Sequence, residues 1–124
     1  MSIWHWNRIP SSPPPEHQVT LGEGQTPVVI AKNVVPAAGG RQLWLKLETS
    51  NPTGSYKDRF AASAISHMQA AGQSRCLATS SGNTGSALAA YCAATKTACK
   101  IAIVESAPAG KLMQMQAYGA QLFR

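Results

Sequence analysis

From residue 43 onward the sequence alternates short apolar runs with helix-length segments, and glycine, proline or a polar turn marks most of the changes. Residues 43–48 alternate apolar and polar, the period of a strand. Residues 57–71 carry Phe60, Ala64 and Met68 on one stripe beside Ala61 and Ile65, and Gly72 stands where a helix ends. Residues 76–79 read as a strand, and 86–95 as an alanine-rich helix with Leu88 and Tyr91 as its larger residues. Residues 100–105 form an apolar strand of the kind buried on both faces. A helix capped at Ser106, with Pro108 early and Gly119 at its end, leads to a last strand from residue 120. Strands and helices taking turns at this spacing predict an α/β fold, a parallel sheet with helix crossovers covered on both faces.

The first 20 residues differ in character. Trp4 and Trp6 flank His5, and Pro10, Pro13, Pro14 and Pro15 follow, which reads as an arm with an extended proline-rich part. Two tryptophans left in water are costly, so the arm is expected to dock on the body or on a partner subunit. Residues 21–27 form a glycine- and proline-bearing loop, and 28–30 a short strand. The expected organisation is an arm over residues 1–20 and one α/β unit over 21–124.

Composition narrows the partners. Charged residues make up 13% of the chain, about half of the usual ~25%, which points to close packing or to a surface that something else covers. The net charge is +6, but Lys46, Lys57, Arg59, Arg75, Lys96, Lys100 and Lys111 are dispersed, with no basic run interleaved with aromatics. Nucleic acid is therefore not the expected partner. No apolar run approaches the ~18 residues of a membrane span, and no stretch has the pattern of a signal peptide, so a cytoplasmic location is expected. Cys76, Cys92 and Cys99 lack a metal-ligand spacing and read as small buried apolar residues in a reducing compartment; no metal is expected.

Two polar turns fall between a strand and a helix, where α/β folds bind ligands. The first runs Asn51-Pro52-Thr53-Gly54-Ser55-Tyr56-Lys57. A structural design places Asp or Glu in a first helical turn, so Lys57 there is a functional candidate. A lysine amine is the group that condenses with an aldehyde. On its own this is also the sequence of a solvated lysine at a helix start. The second turn is Ser80-Ser81-Gly82-Asn83-Thr84-Gly85. Its side chains supply donors, its glycines admit a ligand to the backbone, and the free N–H groups of the helix it opens form an anion site. It lacks both the dinucleotide fingerprint and the Gly-Lys-Ser/Thr ending of a P-loop.

Together these blocks, with Leu21-Gly22-Glu23-Gly24-Gln25-Thr26-Pro27 and the run 111–120, resemble the fold type II pyridoxal phosphate (PLP) enzymes, and among them threonine synthases. The resemblance covers roughly residues 20–124. It implies PLP as cofactor, with Lys57 as the lysine that carries it and shuttles protons. It implies that Asn83 donates to the phenolic oxygen of the cofactor ring, and that Ser80, Ser81 and Thr84 hold the α-carboxylate of a small amino-acid substrate. Asp58 and Arg59 are expected to be structural, Arg59 by pairing with a carboxylate, and Glu23 and Thr26 to lie near the active site. The implied reaction turns O-phospho-L-homoserine and water into L-threonine and phosphate, in an enzyme expected to work as a homodimer. Enzymes of this fold are about three times as long and hold the cofactor phosphate with a later glycine-rich loop. The chain is thus expected to be a front portion, inactive alone. Cysteine synthase-like β-replacement enzymes and serine/threonine dehydratases share the blocks 51–55 and 82–85, so those reactions stay open. A non-catalytic remnant or interaction module is the third possibility.

Overall fold

In the computed structural model, which describes residues 2–5, 11–33 and 42–124, the expected strand–helix order divides between two sheets. Strands β1 (Val28–Ile30) and β2 (Trp44–Lys46) pair antiparallel, Val28 opposite Lys46, as a sheet of their own. Helix α1 (Lys57–Ala70) follows. Strands β3 (Arg75–Thr79), β4 (Ala98–Ala102) and β5 (Gln121–Phe123) then form a parallel sheet in the order β3-β4-β5. Helix α2 (Asn83–Ala94) crosses from β3 to β4, and α3 (Ala109–Ala117) from β4 to β5. The strand read at 43–48 is thus absent from the parallel sheet. Its alternation is genuine, but a period of two does not say which neighbour a strand will pair with.

Helix α2 is the centre of the core. Every residue from 85 to 92 is buried, the state expected of a helix that is apolar or small all round. It packs on α1, α3, β4 and β3, and its alanines let these neighbours approach. On α1 the buried face is Asp58, Ala61, Ala62, Ile65 and Ser66, whereas Phe60 is half exposed. The stripe read through Phe60, Ala64 and Met68 is rotated toward Ala62 and Ser66. Two polar residues enter that face because each is satisfied there. Ser66 Oγ donates to Ala62 O (2.7 Å) and accepts from Val19 N–H (2.8 Å), and Asp58 is bonded within its own turn.

The parallel sheet is covered on one face only, among the described residues. Cys76, Cys99 and Ile101 point to α2, while Arg75, Leu77, Ala98, Lys100, Gln121 and Phe123 are exposed, Leu77 at 73%. This corrects the expectation of a sheet buried on both faces. A groove of about 330 Å³ lies on the bare side, lined by Arg75, Cys76, Leu77, Ala98 and Lys100.

Boundaries moved for local reasons. Helix α2 begins at Asn83 rather than residue 86, because the Ser80 hydroxyl accepts the Gly85 N–H (2.8 Å) and serves the helix from two residues before its entrance. Helix α3 is not capped by Ser106. Pro108 stands at its entrance, and its carbonyl accepts from the N–H groups of Lys111 and Leu112. Part of the proline-rich arm is a 3₁₀ turn, Pro15–His17, rather than extended. The arm docks on the body as expected: Ile3 is buried with its N–H toward Glu23 Oε1 (3.4 Å), and Val19 N–H donates to Ser66 Oγ (2.8 Å). Trp6 and Pro10 lie outside the described residues. Among the described residues no helix is long and apolar enough to cross a membrane.

Candidate functional site

The lysine turn is held by its own side chains. Gly54 adopts φ +87, a left-handed conformation open to glycine at little cost. Its N–H bonds Asn51 O at 2.8 Å. Asp58, fully buried, accepts from Thr53 N–H (3.2 Å to each oxygen) and from Thr53 Oγ1 (2.9 Å). Burial raises the Asp58 carboxyl above its ordinary value, and the Thr53 bonds work in the opposite direction. Ser55 Oγ accepts the Lys57 N–H at 3.2 Å. Lys57 is thereby fixed as the first residue of α1. Its Nζ makes no hydrogen bond or ion pair among the described residues and lies 4.6 Å from the centre of the Tyr56 ring, a cation–π distance.

A charged network backs this turn. Glu48 accepts from Arg59 Nε (3.0 Å) and Nη2 (2.9 Å), from Thr26 Oγ1 (2.7 Å) and from Asn51 Nδ2 (2.9 Å). Arg59 thus has the carboxylate partner expected of it. Asn51 Oδ1 accepts the Gly24 N–H (3.0 Å), which ties the glycine loop to the lysine turn. Glu23 is fully buried, where it accepts from Tyr91 Oη (2.7 Å), Thr20 Oγ1 and Leu21 N–H. Thr26 is buried too, and its hydroxyl is spent on Glu48.

The second turn presents donors. Ser80 Oγ accepts from Gly85 N–H (2.8 Å) and, more weakly, from Gly82 N–H (3.3 Å). The N–H groups of Ser81, Asn83 and Thr84 meet no acceptor among the described residues, and the side chains of these three make no hydrogen bond there. They sit at the positive end of a 12-residue helix, where an anion is favoured.

Helix α3 brings the two turns side by side, through adjacent residues. Gln114 Nε2 donates to Thr53 O (3.2 Å), and Met115 packs against Gly85 so closely that a Cβ there would lie 2.7 Å from Met115 Cε. Sequence reasoning missed both, since a contact spanning 61 residues leaves no local signature. Through α3, the turn that ends in Lys57 and the turn that ends in Gly85 are thus held on one helix.

The model of the family described as pyridoxal-phosphate dependent enzyme matches residues 19–124. The chain is similar to the threonine synthase of Bacillus sp. (strain ULM1), 41% identical over 105 residues that make up 84% of this chain and 30% of that protein. It is similar to the threonine synthase of Mycobacterium tuberculosis (strain ATCC 25618 / H37Rv), 40% identical over 107 residues, 86% of this chain and 29% of that one. Among solved structures it resembles a cysteine synthase of Entamoeba histolytica, with a TM-score of 0.74, 29% identity, and coverage of 81% of this chain and 32% of that one. A hydrogen sulfide-producing enzyme of Fusobacterium nucleatum gives a TM-score of 0.73 at 32% identity, over 81% and 34% of the two chains. The chain spans about a third of the length of these relatives.

Proposed function

Because the chain belongs to the pyridoxal-phosphate dependent enzyme family, whose cofactor is pyridoxal 5'-phosphate, we propose that it supplies the lysine side and the substrate-carboxylate side of a threonine synthase-type active site. The reaction proposed converts O-phospho-L-homoserine and water to L-threonine and phosphate. The observation that carries this reading is the roughly 40% identity to threonine synthases across the span that contains both turns.

The residues present suit the cofactor and a substrate carboxylate. Lys57 Nζ has no hydrogen-bond partner to give up, Asn83 has an unengaged carboxamide, and the Ser81, Asn83 and Thr84 N–H groups lack acceptors among the described residues. When bound, the cofactor supplies an electron sink for carbanions on the substrate. The rest is work for this chain. Lys57 attaches the cofactor and moves protons to and from the substrate carbons, held in place by the Ser55 and Asp58 bonds of its turn. Asn83 donates to the ring's phenolic oxygen. Ser81 and Thr84, with the helix N–H groups, hold the α-carboxylate. Ser80 has a second role, since its oxygen organises the loop by accepting from Gly85, leaving its own proton for the substrate. The partners proposed are the amino-acid substrate and, in the full-length enzyme, a second copy in a homodimer, working in the cytoplasm.

A second reading is favoured by the solved neighbours, which include a cysteine synthase and a hydrogen sulfide-producing enzyme: β-replacement at the same site. Full-length protein supplied with O-phosphohomoserine separates the two. Phosphate release with threonine formation is expected. Sulfide-dependent turnover of O-acetylserine without phosphate release transfers the proposal to the second reading. Borohydride reduction of the cofactor-loaded protein, followed by peptide mapping, is expected to fix the cofactor on Lys57 and nowhere on Lys57→Ala. A label on another lysine removes Lys57 from the role.

A further inference from the structure

Three sulfurs from three elements meet in the core. Cys76 of β3 and Cys99 of β4 are direct partners in the parallel register, so both side chains face α2. Cys92 descends from α2, and the three Sγ atoms lie within 4.8 Å of one another. All three are buried and unbridged. The neighbouring Cys92 and Cys76 thiols hold the Cys99 thiol below its ordinary value, while the Cys99 thiol, with burial, pushes Cys92 far up. No imidazole or carboxylate joins the group among the described residues.

Three soft donors without a hard one select a thiophilic ion. Charge selects further. The cluster belongs to the buried apolar core, and the nearest basic residues in sequence, Arg75 and Lys100, are exposed on the other side of the sheet. A monovalent or divalent ion on three thiolates leaves net negative charge in that apolar setting, which is costly. A trivalent ion leaves none. We propose that Cys76, Cys92 and Cys99 form a three-thiolate binding site for a trivalent thiophilic metalloid, the arsenic(III) class, taken up as neutral As(OH)₃. Three As–O bonds break and three As–S bonds form. Each thiol proton leaves with a hydroxide as water, and no oxidation state changes.

The test uses the full-length protein, fully reduced and titrated with sodium arsenite. Mass spectrometry is expected to show one added arsenic with three hydrogens lost, and alkylation after rapid denaturation to show Cys76, Cys92 and Cys99 protected together. X-ray absorption at the arsenic edge is expected to show three sulfur neighbours. Thermal unfolding is expected to shift upward, since the folded form holds the three thiols together and binds more tightly than the unfolded chain. The adduct is expected to be lost in Cys92→Ala and in Cys99→Ser. Absence of an adduct on wild type, arsenic bound with these three cysteines still alkylated, or an adduct retained in both variants overturns the proposal.

Discussion

Glu48 is held ionised by Arg59, with Thr26 and Asn51 adding donors, and its carboxyl falls from an ordinary 4.5 to about 2 although burial opposes the change. The carboxyl is harder to protonate folded than unfolded, so its contribution to stability is fully present above pH 4.5. It is lost progressively as pH falls from there toward 2. Both partners are partly open to solvent, which screens the pair, so the contribution is ~1 kcal/mol. Glu48→Gln is expected to lower stability by about that amount at neutral pH and to flatten the acid limb of a urea-midpoint against pH curve. An unchanged acid limb contradicts this. Residue-scale reading from sequence went part of the way here. That Arg59 would pair with a carboxylate was expected from the family resemblance. That Glu48 is the partner, 11 positions earlier, required the turn between them to close.

At the scale of elements, α3 acts as the clamp between the two polar turns. Its grip depends on Gly85, where any Cβ meets Met115 Cε and Sδ and approaches Ser80 Cβ at 3.2 Å. Gly85→Ala is expected to push Met115 aside and loosen the Ser80 hydrogen bond, costing about 1–3 kcal/mol. Because Met115 is flexible, Gly85→Ala combined with Met115→Ala is expected to cost less than the two changes summed, a coupling that chemical denaturation of the four proteins in the cycle measures. Strict additivity shows that the two residues do not meet. The same element scale explains why helix existence was readable and helix faces were not. Glycine, proline and polar turns end helices through local backbone chemistry. Which stripe of α1 is buried depended on the arm offering Val19 N–H to Ser66 and on the small residues of α2.

At the scale of the whole molecule, Glu23 is the point where distant parts join. It receives Tyr91 Oη from α2, Thr20 and Leu21 from the loop, and a longer bond (3.4 Å) from Ile3 N–H in the arm. Both Glu23 and Tyr91 are fully buried, and burial together with the carboxylate pushes the Tyr91 phenol far above its ordinary range. Tyr91→Phe leaves a buried carboxylate short of a donor, at a cost of about 1–3 kcal/mol. Faster hydrogen exchange at Ile3 and Leu21 is expected with it, since both N–H groups are bonded to Glu23. Stability and exchange equal to wild type remove Glu23 from this role.

The sequence by itself determined the α/β class, the positions of the two polar turns and the family. Each rests on local information: a hydrophobic period, a turn residue with its own backbone preference, a short block of side chains around a lysine. Three things waited for the tertiary structure. The strand read at residues 43–48 went to a separate antiparallel pair, because register and partner are set by what else the chain brings alongside. Glu23 found its partner in a buried phenol 68 residues away, a pairing with no local signature. And three cysteines without a readable spacing became one cluster, because parallel register places Cys76 beside Cys99 and the crossover helix lowers Cys92 onto both.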